Sequence, residues 1–575
     1  MNFFATSIDA IRRLADRPFA AIFALLVLCT AVYLPGVLNL PVVDRTEAIW
    51  AETTRDMVSR GAWLDPRYGG YVHAFRPVGT NWAQALSSKI AGDEHARDIV
   101  VYRIPGLIAV TAVVLLLYWL SLPLVGSQTA FVAALLFGAA PLTVLLAQLA
   151  IAEGLSLLAA TVAMLSLLRL YCASPDDDTR GLVIAFWLAL GFGMLINALL
   201  VPILAAVTLV ALWIMDQSTD LVRRLFMRKF ALLGLVIAAP WLAVRALQDG
   251  IPFFGLNTVQ FVAALGGAQD MKLRAWPGTF LLAATLGFLP GTALMAPALT
   301  GIWIARHQRF ARFLCAWIIG YIVYLELISS KPGTYMVQVI FPALALAIAQ
   351  VVVSAGRKMP PPERSIFLWP TFAFVFALLP FFALYWYTHE MPSLLTSAMI
   401  AATALLFYVS SRSGRAGELW QWTVTGTAAL GFLAVTLFAY ALPAIDKIWP
   451  ATQLKAVIGS CNDKVPVGVI GYREPSIRFL LGADTSAQTV ETVLNKNPPL
   501  TIIERRSIDA YGEALKQRGR KLTLPYTCAW SYNLMRGCNV SFLVVGQGEA
   551  AHCFENGEAI CETPDIIQDA SNTCN

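Results

Sequence analysis

Residues 40–105 read LPVVDRTEAIWAETTRDMVSRGAWLDPRYGGYVHAFRPVGTNWAQALSSKIAGDEHARDIVVYRIP, and this stretch decides how the rest of the chain is organised. It carries acids, arginines and tryptophans in a long polar loop, and strongly apolar runs precede and follow it. Most connections between neighbouring elements are short, with a median of roughly 4–6 residues, and long ones are often functional. We therefore expect residues 40–103 to form part of a functional site between two membrane spans.

The composition is that of a polytopic membrane protein. The chain of 575 residues is 58% hydrophobic and only 14% charged, and its mean hydropathy is +0.64. Soluble globular chains are roughly 45–50% apolar and about 25% charged. The net charge of +6 does not indicate a nucleic-acid partner, because basic residues in a membrane protein first report its topology. We predict membrane lipids, and no nucleic acid, among its partners.

Apolar runs near the roughly 20 residues that a bilayer requires predict about thirteen transmembrane helices within residues 1–443. The first run, 19–38, follows three arginines as in a signal peptide, but it lacks a small-residue cleavage site. We predict that it is an uncleaved span. Residues 181–215 form either two spans or one long kinked helix. The later runs lie at about 104–122, 128–146, 151–172, 181–196, 198–215, 230–247, 279–304, 311–329, 335–355, 367–388, 394–411 and 421–443.

The distribution of lysine and arginine predicts the orientation of these helices. The short loops near 147–150, 197 and 389–393 have neither residue. The alternate loops are basic, as expected of cytoplasmic loops under the positive-inside rule, if the N-terminus is cytoplasmic. An odd number of spans then places residues 444–575 on the outer face. The basic residues are Arg223, Arg224, Arg228, Lys229, Arg306, Arg309, Arg312, Arg357, Lys358, Arg364, Arg412 and Arg415.

Residues 444–575 predict a small α/β domain. The runs VPVGVIGY (465–472) and LTIIE (500–504) are typical of strands, and IDAYGEALKQRG (508–519) is typical of a helix. Six of the nine cysteines lie here, without the CxxC pairs or histidine-rich segments of a metal site. We favour disulfide bonds in an oxidising compartment over metal binding. The six are Cys461, Cys528, Cys538, Cys553, Cys561 and Cys574.

Four acids open the long loop. Residues 47–60 predict a short helix on the membrane surface, with Trp50, Thr53 or Thr54, and Met57 on one face. A carboxylate at this boundary is suited to take a proton from a hydroxyl group. The alternative is a solvated helix N-terminus, which favours acids through the helix dipole. The acids are Asp44, Glu47, Glu52 and Asp56.

A fifth acid, Glu153, lies near the outer end of an apolar span. An acid there is costly, and it usually faces the interior of the bundle or a wet cavity. We therefore expect Glu153 to belong to a site. Arg103 and Arg274 are cations on the same side of the membrane, where interfacial anchoring is the alternative role.

The motifs DRTEAIWAE (44–52), RPVGTNWAQ (76–84), YRIP (102–105) and SSKPGTY (329–335) carry a resemblance to a known family. They are similar to DRDE-x-R-[YF]-A, K-P-x-G-x-x-W-x-Q, A-R-L-P and S-T-K-x-x-x-Y of polyprenyl-phosphate-sugar transferases of the GT-C class. This superfamily includes the protein O-mannosyltransferases and the bacterial lipid A aminoarabinose transferases. The order of spans resembles it over about 350 residues, from the loop motifs to Pro342.

The resemblance implies a GT-C fold and an inverting glycosyltransferase in the bacterial inner membrane. Such an enzyme moves a sugar from a polyprenyl-phosphate donor to a lipid or glycan acceptor, of lipid A or lipopolysaccharide type, on the periplasmic side. It implies Glu47 or Asp44 as the catalytic base and Glu153 as a supporting acid. It implies no cofactor.

The same resemblance implies the groups that hold the substrates. The donor leaves as a lipid phosphate, so cations must meet the charge that develops on it. Arg76 and Lys331 are the predicted clamp, since guanidinium binds phosphate bidentately and lysine acts as a point charge. Tyr335, Arg103 and Trp50 are the further predicted contacts.

Several positions depart from the family pattern. Thr46 stands where the family has its principal acid, Ile49 replaces an arginine, and Asn197 replaces a lysine. Phe75 and the lack of a matching histidine lead us to predict no metal site. Two other functions therefore stay open: a degenerate paralogue that serves as a partner subunit, and a lipid-linked-sugar transporter or flippase. A transporter is expected to show internal repeats, and no clear repeat is present.

Overall fold

The computed structural model describes most of the chain. The described residues are 2–68, 71–72, 77–174, 176–226, 230–249, 276–327, 333–354, 382, 385, 393–459, 465–482, 487–520, 526–534, 536–547 and 550. The structural statements below concern these residues.

The first half of the chain is helical apart from one two-stranded ribbon, β1 (Arg67–Tyr68) and β2 (Tyr71–Val72). Its helices are α1 (Asn2–Ala15), α2 (Pro18–Asn39), α3 (Thr46–Ser59), α4 (Gly79–Ala91), α5 (Ile99–Val125), α6 (Ser127–Gly138), α7 (Pro141–Ala147), α8 (Ala152–Cys172), α9 (Arg180–Ile196), α10 (Leu200–Asp216), α11 (Asp220–Phe226) and α12 (Ala231–Asp249).

The described residues from 276 to 441 are again mainly helical. The helices are α13 (Thr279–Gly287), α14 (Met295–Ile304), α15 (Arg309–Leu327), α16 (Phe341–Ser354), α17 (Leu394–Arg415) and α18 (Leu419–Val435). The short 3₁₀ helices here are Gly291–Leu294 and Thr334–Ile340, and Thr436–Ala441 is a π-helical turn that continues α18.

The protein is a multi-pass membrane protein. Seven described helices are long and apolar enough to span a bilayer, and the number rises to ten if each bent pair of helices counts as one span. The bent pairs include α6 with α7, at 67°, and α13 with residues 291–304, at 115°. Residues 181–215 form two helices, α9 and α10, rather than one kinked helix. The count of thirteen stays a prediction, since the run at 367–388 lies outside the described residues except at 382 and 385.

Local sequence explains where α5 begins and ends. The Asp98 side chain accepts a hydrogen bond from the backbone N–H of Val100 at 3.0 Å and so caps the first turn. The helix ends before Gly126, whose φ of +78° suits glycine. α5 is thereby fixed with Arg103 in its second turn, next to the first loop.

Two glycines let α5 and α8 approach closely. A Cβ atom built on Gly106 would lie 3.1 Å from the carbonyl oxygen of Leu149, and one on Gly154 would lie 3.4 Å from the Cα of Gly106. Only hydrogen atoms occupy this space, so the two helices cross at short range. The crossing places Glu153, at the start of α8, beside the N-terminal part of α5.

The predicted loop helix is present as α3, but more of it is buried than the single expected face. Its buried residues are Glu47, Ala48, Trp50, Ala51, Glu52, Thr53, Thr54 and Met57. These positions surround most of the helix, so α3 is enclosed by other parts of the protein. A helix lying on a membrane would bury one apolar stripe only.

The tail forms a mixed five-stranded sheet in the order β4-β3-β5-β7-β6. β3 is parallel to β4 and β5, and β7 is antiparallel to β5 and β6. The predicted runs 465–472 and 500–504 contain β3 and β5. The strands are β3 (Val467–Ile470), β4 (Ala487–Gln488), β5 (Leu500–Glu504), β6 (Tyr526–Asn533) and β7 (Cys538–Gly546), and the helices are α19 (Pro450–Ile458), α20 (Pro475–Leu481), α21 (Val490–Lys496) and α22 (Ile508–Gln517).

The tail and the first loop share one hydrophobic core. Tyr102 meets Phe479 edge-on, with ring centroids 5.4 Å apart. Burying such side chains stabilises each by roughly 1.5–3 kcal/mol relative to exposure. The loop therefore lies between the membrane helices and the tail. The core also includes Val42, Ala48 and Ala51 from the loop and Val469, Tyr472 and Ile477 from the tail.

The cysteines fall into two groups. Cys29, Cys172 and Cys315 are free thiols in the membrane helices. In the tail, Cys528 lies on β6 and Cys538 begins β7. The other four predicted disulfide partners, Cys461, Cys553, Cys561 and Cys574, lie outside the described residues.

Candidate active site

Glu47 lies in the first turn of α3 and is almost completely buried, with 1% of its surface exposed. Its Oε1 accepts hydrogen bonds from Arg103 Nε at 2.8 Å and from the backbone N–H of Ala150 at 2.7 Å. Its Oε2 accepts from Arg103 Nη2 at 2.8 Å and from the backbone N–H of Val43 at 2.9 Å. Four donors therefore surround the carboxylate, which is poorly placed to accept a proton from a substrate.

Arg103 is fully buried and uses all five N–H groups of its guanidinium. Two go to Glu47, and the remaining three go to the carbonyl oxygens of Val37, Leu40 and Pro41, at 3.2, 2.5 and 2.9 Å. The predicted substrate contact at Arg103 is therefore replaced by a structural role, since no N–H group is left for a ligand.

We call Glu47 and Arg103 the buried ion pair. It connects the end of α2, the start of α3, the second turn of α5 and the segment that leads into α8. Removing one member of a buried pair leaves an uncompensated charge, which typically costs about 3–5 kcal/mol. The pair therefore positions the first loop on the membrane helices.

Glu153 lies close to this pair, in the first turn of α8, and is half-buried. Trp50 packs against Ile151 and Ala152, which immediately precede it. The side-chain amide of Gln338 lies 3.5 Å from the backbone oxygen of Glu153. The structure thus places the segment that leads into Glu153 against the predicted residues Glu47 and Trp50.

Tyr335 lies on an element that contacts the start of α8. It lies on the 3₁₀ helix Thr334–Ile340, where residues three apart share a face, so it lies on the same face as Gln338. Tyr335 is half-buried, and Gln338 is buried. Lys331, which precedes this helix, lies outside the described residues.

A polar network connects α3 to α4. Asn81 Nδ2 donates to Thr54 Oγ1 at 2.8 Å, and Thr54 donates to Gln84 Oε1 at 2.7 Å. Gln84 Nε2 in turn lies 3.2 Å from the carbonyl oxygen of Ala150. The start of α4 is thereby held against the segment that precedes Glu153. Arg76, just before α4, lies outside the described residues.

Asp44 precedes α3 and meets the tail. Its Oδ1 accepts a hydrogen bond from the backbone N–H of Ser476 at 3.0 Å. The pKa of Asp44 is raised from 3.8 to about 6, mainly by burial; the Glu474 carboxylate also raises it, whereas the hydrogen bonds from Ser476 and the charge of Arg45 lower it. A carboxyl group with this pKa is close to the value that suits a general base near neutral pH.

Sequence reasoning missed the contribution of the tail. Arg45 Nε donates to Glu474 Oε2 at 3.2 Å, and Arg478 Nε donates to Glu52 Oε1 at 2.9 Å. These partners are more than four hundred residues apart in sequence, so no local pattern could pair them. Arg45 also has a φ of +61°, which is rare for a residue with a side chain.

Sequence reasoning also missed Arg245. It lies inside the apolar helix α12, and its Nη1 donates to Asp65 Oδ1 at 2.8 Å. Only 2% of its surface is exposed. A charged residue within an apolar span indicates a functional or structural role, and this signal could have been read from the sequence.

Comparison with known proteins adds to this geometry. Residues 75–244 match the family model described as dolichyl-phosphate-mannose-protein mannosyltransferase. Two curated relatives are named undecaprenyl phosphate-alpha-4-amino-4-deoxy-L-arabinose arabinosyl transferase. The one from Yersinia enterocolitica is 25% identical over 324 residues, which is 54% of this chain and 56% of the relative. The one from Aeromonas hydrophila is 27% identical over 320 residues, with the same coverage. The chain thus spans little more than half the length of these relatives.

The fold is shared with solved structures. The crystal structure of ArnT from Cupriavidus metallidurans in the apo state has a TM-score of 0.68 and 16% sequence identity, and it covers 91% of this chain and 97% of its own. The same protein bound to undecaprenyl phosphate gives a TM-score of 0.68 at 17% identity, with the same coverage. The chain therefore shares the fold of ArnT, and residues 75–244 resemble the mannosyltransferase family.

Proposed function

We propose that this protein is a membrane glycosyltransferase that moves a sugar from a polyprenyl-phosphate donor to a lipid or glycan acceptor of lipid A or lipopolysaccharide type. The names of the curated relatives and the undecaprenyl phosphate bound to ArnT support this chemistry. The observation that carries the proposal is the meeting of three elements at the start of α8, which contacts Glu47 and Trp50 of the first loop through residues 150–152 and the 3₁₀ helix with Tyr335 through Gln338.

In the proposed mechanism Asp44 is the base. Among the described residues its carboxylate accepts hydrogen bonds from Ser476 alone, so it keeps capacity to take a proton. Glu47 was the first candidate, but its oxygens accept four hydrogen bonds and it serves to position α3. Glu153 remains the proposed supporting acid, at the start of α8.

Arg76 and Lys331 are the proposed phosphate clamp. The described chain resumes just after each of them, at the start of α4 and of the 3₁₀ helix with Tyr335. Both of these elements approach Glu153, α4 through Gln84 and the 3₁₀ helix through Gln338. Tyr335 and Trp50 are the proposed further contacts to the donor.

The proposed topology has about thirteen spans, a cytoplasmic N-terminus and a periplasmic domain at residues 444–575 in a bacterial inner membrane. The two apolar helices of 17 residues, α9 and α10, support additional spans beyond the seven to ten. We also propose disulfide bonds in the tail. This is supported by Cys528 and Cys538, which are in the disulfide-bonded form, and by their place in a compartment that would be oxidising.

The test is sugar transfer by the full-length protein in liposomes, measured by mass spectrometry of lipid A after addition of undecaprenyl-phosphate-linked aminoarabinose. Loss of a general base typically costs about 10²- to 10⁴-fold in rate, and we expect a loss of this size for Asp44→Asn. Transfer by the parent protein should rise with pH through about 6, because the base acts in its ionised form. Glu94→Gln, at an exposed acid of the same loop, is the matched control.

Full activity of Asp44→Asn would refute the assignment of the base. Absence of transfer by the parent protein, from this donor and from other polyprenyl-phosphate sugars, would refute the proposed enzyme. Mass spectrometry of the envelope lipids and glycans of a deletion strain would then identify the sugar and the acceptor.

Thr46 favours a second candidate, the degenerate paralogue, because the family pattern has an acid at this position. Thr46 is the first residue of α3 and is half-buried next to Glu47. A Thr46→Asp variant that gains transfer over an inactive parent would support the paralogue. A flippase would be indifferent to this change, and its activity would be the movement of a lipid-linked sugar between leaflets.

A further inference from the structure

Arg55 and Arg478 share a single carboxylate at the junction of the first loop and the tail. Arg55 Nε and Nη2 donate to the two oxygens of Glu52, each at 2.9 Å. Arg478 Nε donates to Glu52 Oε1, also at 2.9 Å. Glu52 itself is buried, with 1% of its surface exposed. Two guanidinium groups and one carboxylate leave a net positive charge. We call Arg55 and Arg478 the junction arginines.

The junction arginines have hydrogen-bonding capacity to spare. Each guanidinium carries five N–H groups. Within the described residues, Arg55 uses two of them and Arg478 uses one. Arg103, on α5, uses all five and is completely enclosed. Arg103 thus has a complete set of acceptors, whereas Arg55 on α3 and Arg478 on α20 lack most of theirs within the described residues.

The open N–H groups are accessible. The side chains of Arg55 and Arg478 are 15% and 13% exposed, so most of each side chain is enclosed while the donors remain reachable. No side-chain nitrogen of Arg55 or Arg478 is among the buried polar atoms that lack a hydrogen-bond partner. A ligand could reach these groups without rearrangement of the loop.

The surroundings favour an anion. The ring centroid of Tyr68 lies 5.6 Å from the Arg478 guanidinium carbon, in a cation–π contact. Burial raises the pKa of Tyr68 to about 12, so this ring stays neutral and does not offset the positive charge. Glu474, another acid of the tail, pairs with Arg45 and Arg536. Asp44 accepts a hydrogen bond from Ser476.

We infer that the junction arginines form a second phosphate-binding site, which takes a phosphate group carried by one of the lipid substrates. Guanidinium groups bind phosphate through parallel N–H contacts, and two of them at one place match the several oxygens of a phosphate monoester. The site uses different residues from the predicted clamp at Arg76 and Lys331. This inference rests on the proposed function for the identity of the lipids, and it makes the tail a part of the substrate-binding surface.

The test is lipid binding by the purified full-length protein, measured by native mass spectrometry without any sugar transfer. The probes are bisphosphorylated lipid A, the same lipid A after removal of its phosphates, and undecaprenyl phosphate. A charged hydrogen bond is worth about 1.5–3 kcal/mol, so Arg478→Ala should weaken binding of one phosphorylated probe by about 10- to 100-fold. Binding of dephosphorylated lipid A should be unchanged.

A loss confined to lipid A assigns the site to the phosphate of the acceptor, and a loss confined to undecaprenyl phosphate assigns it to the donor. Arg478→Lys keeps the positive charge but loses the bidentate N–H geometry of the guanidinium, so it should weaken binding less than Arg478→Ala does. Arg506→Ala is the control, since it removes a tail arginine that pairs with Glu504 away from this junction. Arg55→Ala repeats the test from the loop side, in case Arg478→Ala fails to fold.

The inference is overturned if Arg478→Ala and Arg55→Ala both keep the parent's affinity for all three probes. Its failure is distinct from failure of the proposed function. A parent protein that transfers no sugar, but whose preference for phosphorylated lipid depends on Arg478, would refute the enzyme and retain the site.

Discussion

At the scale of single residues, the environment of each charge separates structural from functional roles. Arg103 has five acceptors for five N–H groups and no exposed surface, whereas Arg478 has one acceptor among the described residues and remains partly exposed. The sequence could not make this distinction, because the acceptors of Arg103 include backbone oxygens of Val37 and Leu40, far away in the chain. It did indicate that Glu47, Glu153 and Trp50 belong together.

We expect Arg103→Ala to destabilise the protein by about 3–5 kcal/mol, because Glu47 would be left buried without its counter-charge. The measurement is thermal or denaturant unfolding of the purified protein in detergent. Glu94→Ala, which removes an exposed acid of the same loop, should have little effect. An Arg103→Ala protein with the parent's stability and reduced substrate affinity would instead support the original prediction of a substrate contact.

At the scale of elements, seven of the apolar runs in the sequence coincide with the seven long apolar helices of the structure, and the count of thirteen stays a prediction. The run at 128–146 is a bent pair of helices, and the run at 279–304 turns by 115°. Hydropathy cannot predict such bends, because both arms of each pair are equally apolar. The position of α4 could not be predicted either, because it depends on contact with the end of α9 and not on the hydropathy pattern of α4 itself.

We expect Gly79→Ala to displace the start of α4. A Cβ atom there would lie 2.6 Å from the backbone oxygen of Leu195, at the end of α9, and neither backbone can move freely. Overpacking of this kind typically costs about 1–3 kcal/mol, and here it should also raise the KM for the donor, since Arg76 directly precedes this turn. Unfolding and steady-state transfer are the two measurements.

Gly181→Ala is the matched control for this variant. Nothing lies within 4 Å of a Cβ atom at Gly181, which is on α9 near its start, and alanine favours helix. It should leave stability and KM unchanged. Equal behaviour of the two variants would show that the close contact at Gly79 is unimportant.

At the scale of the whole molecule, the first loop is enclosed between the membrane helices and the tail. The buried ion pair fixes it from one side, and Asp44, Arg45 and Glu52 attach it to α20 and its N-terminal flank from the other. The predicted strands and helix of the tail are near the observed ones, yet the docking of the tail was not predictable. Contacts between residues more than four hundred positions apart are set by the tertiary fold, and no local sequence pattern indicates them.

The attachment of the tail should depend on pH through Asp44. Its pKa is about 6 in the docked protein, against an ordinary 3.8, so docking favours the protonated acid. This contribution to stability is fully present below about pH 4 and is lost as the pH rises through about 6. Asp44→Asn mimics the protonated acid, and it should remove this part of the pH dependence.

Hydrogen exchange of α20 is the measurement, with parent and variant compared at each pH. We expect equal protection near pH 4.5 and greater protection of Asp44→Asn near pH 7.5. Asp509→Asn, at an exposed position on α22, should follow the parent at both values. Identical exchange in the parent and Asp44→Asn across this range would contradict the prediction.

The separation between Asp44 and Ser476 has a consequence for biosynthesis. The two residues lie 432 positions apart, so the ribosome makes the loop long before it makes its partner. At about 5–20 residues per second, the delay is roughly 20–90 s. During this time Val42, Ala48 and Ala51 lack the tail side of their core, and a nascent chain arrested before residue 476 would leave them uncovered. The first loop is therefore among the first parts of the protein to be synthesised and among the last to be completed.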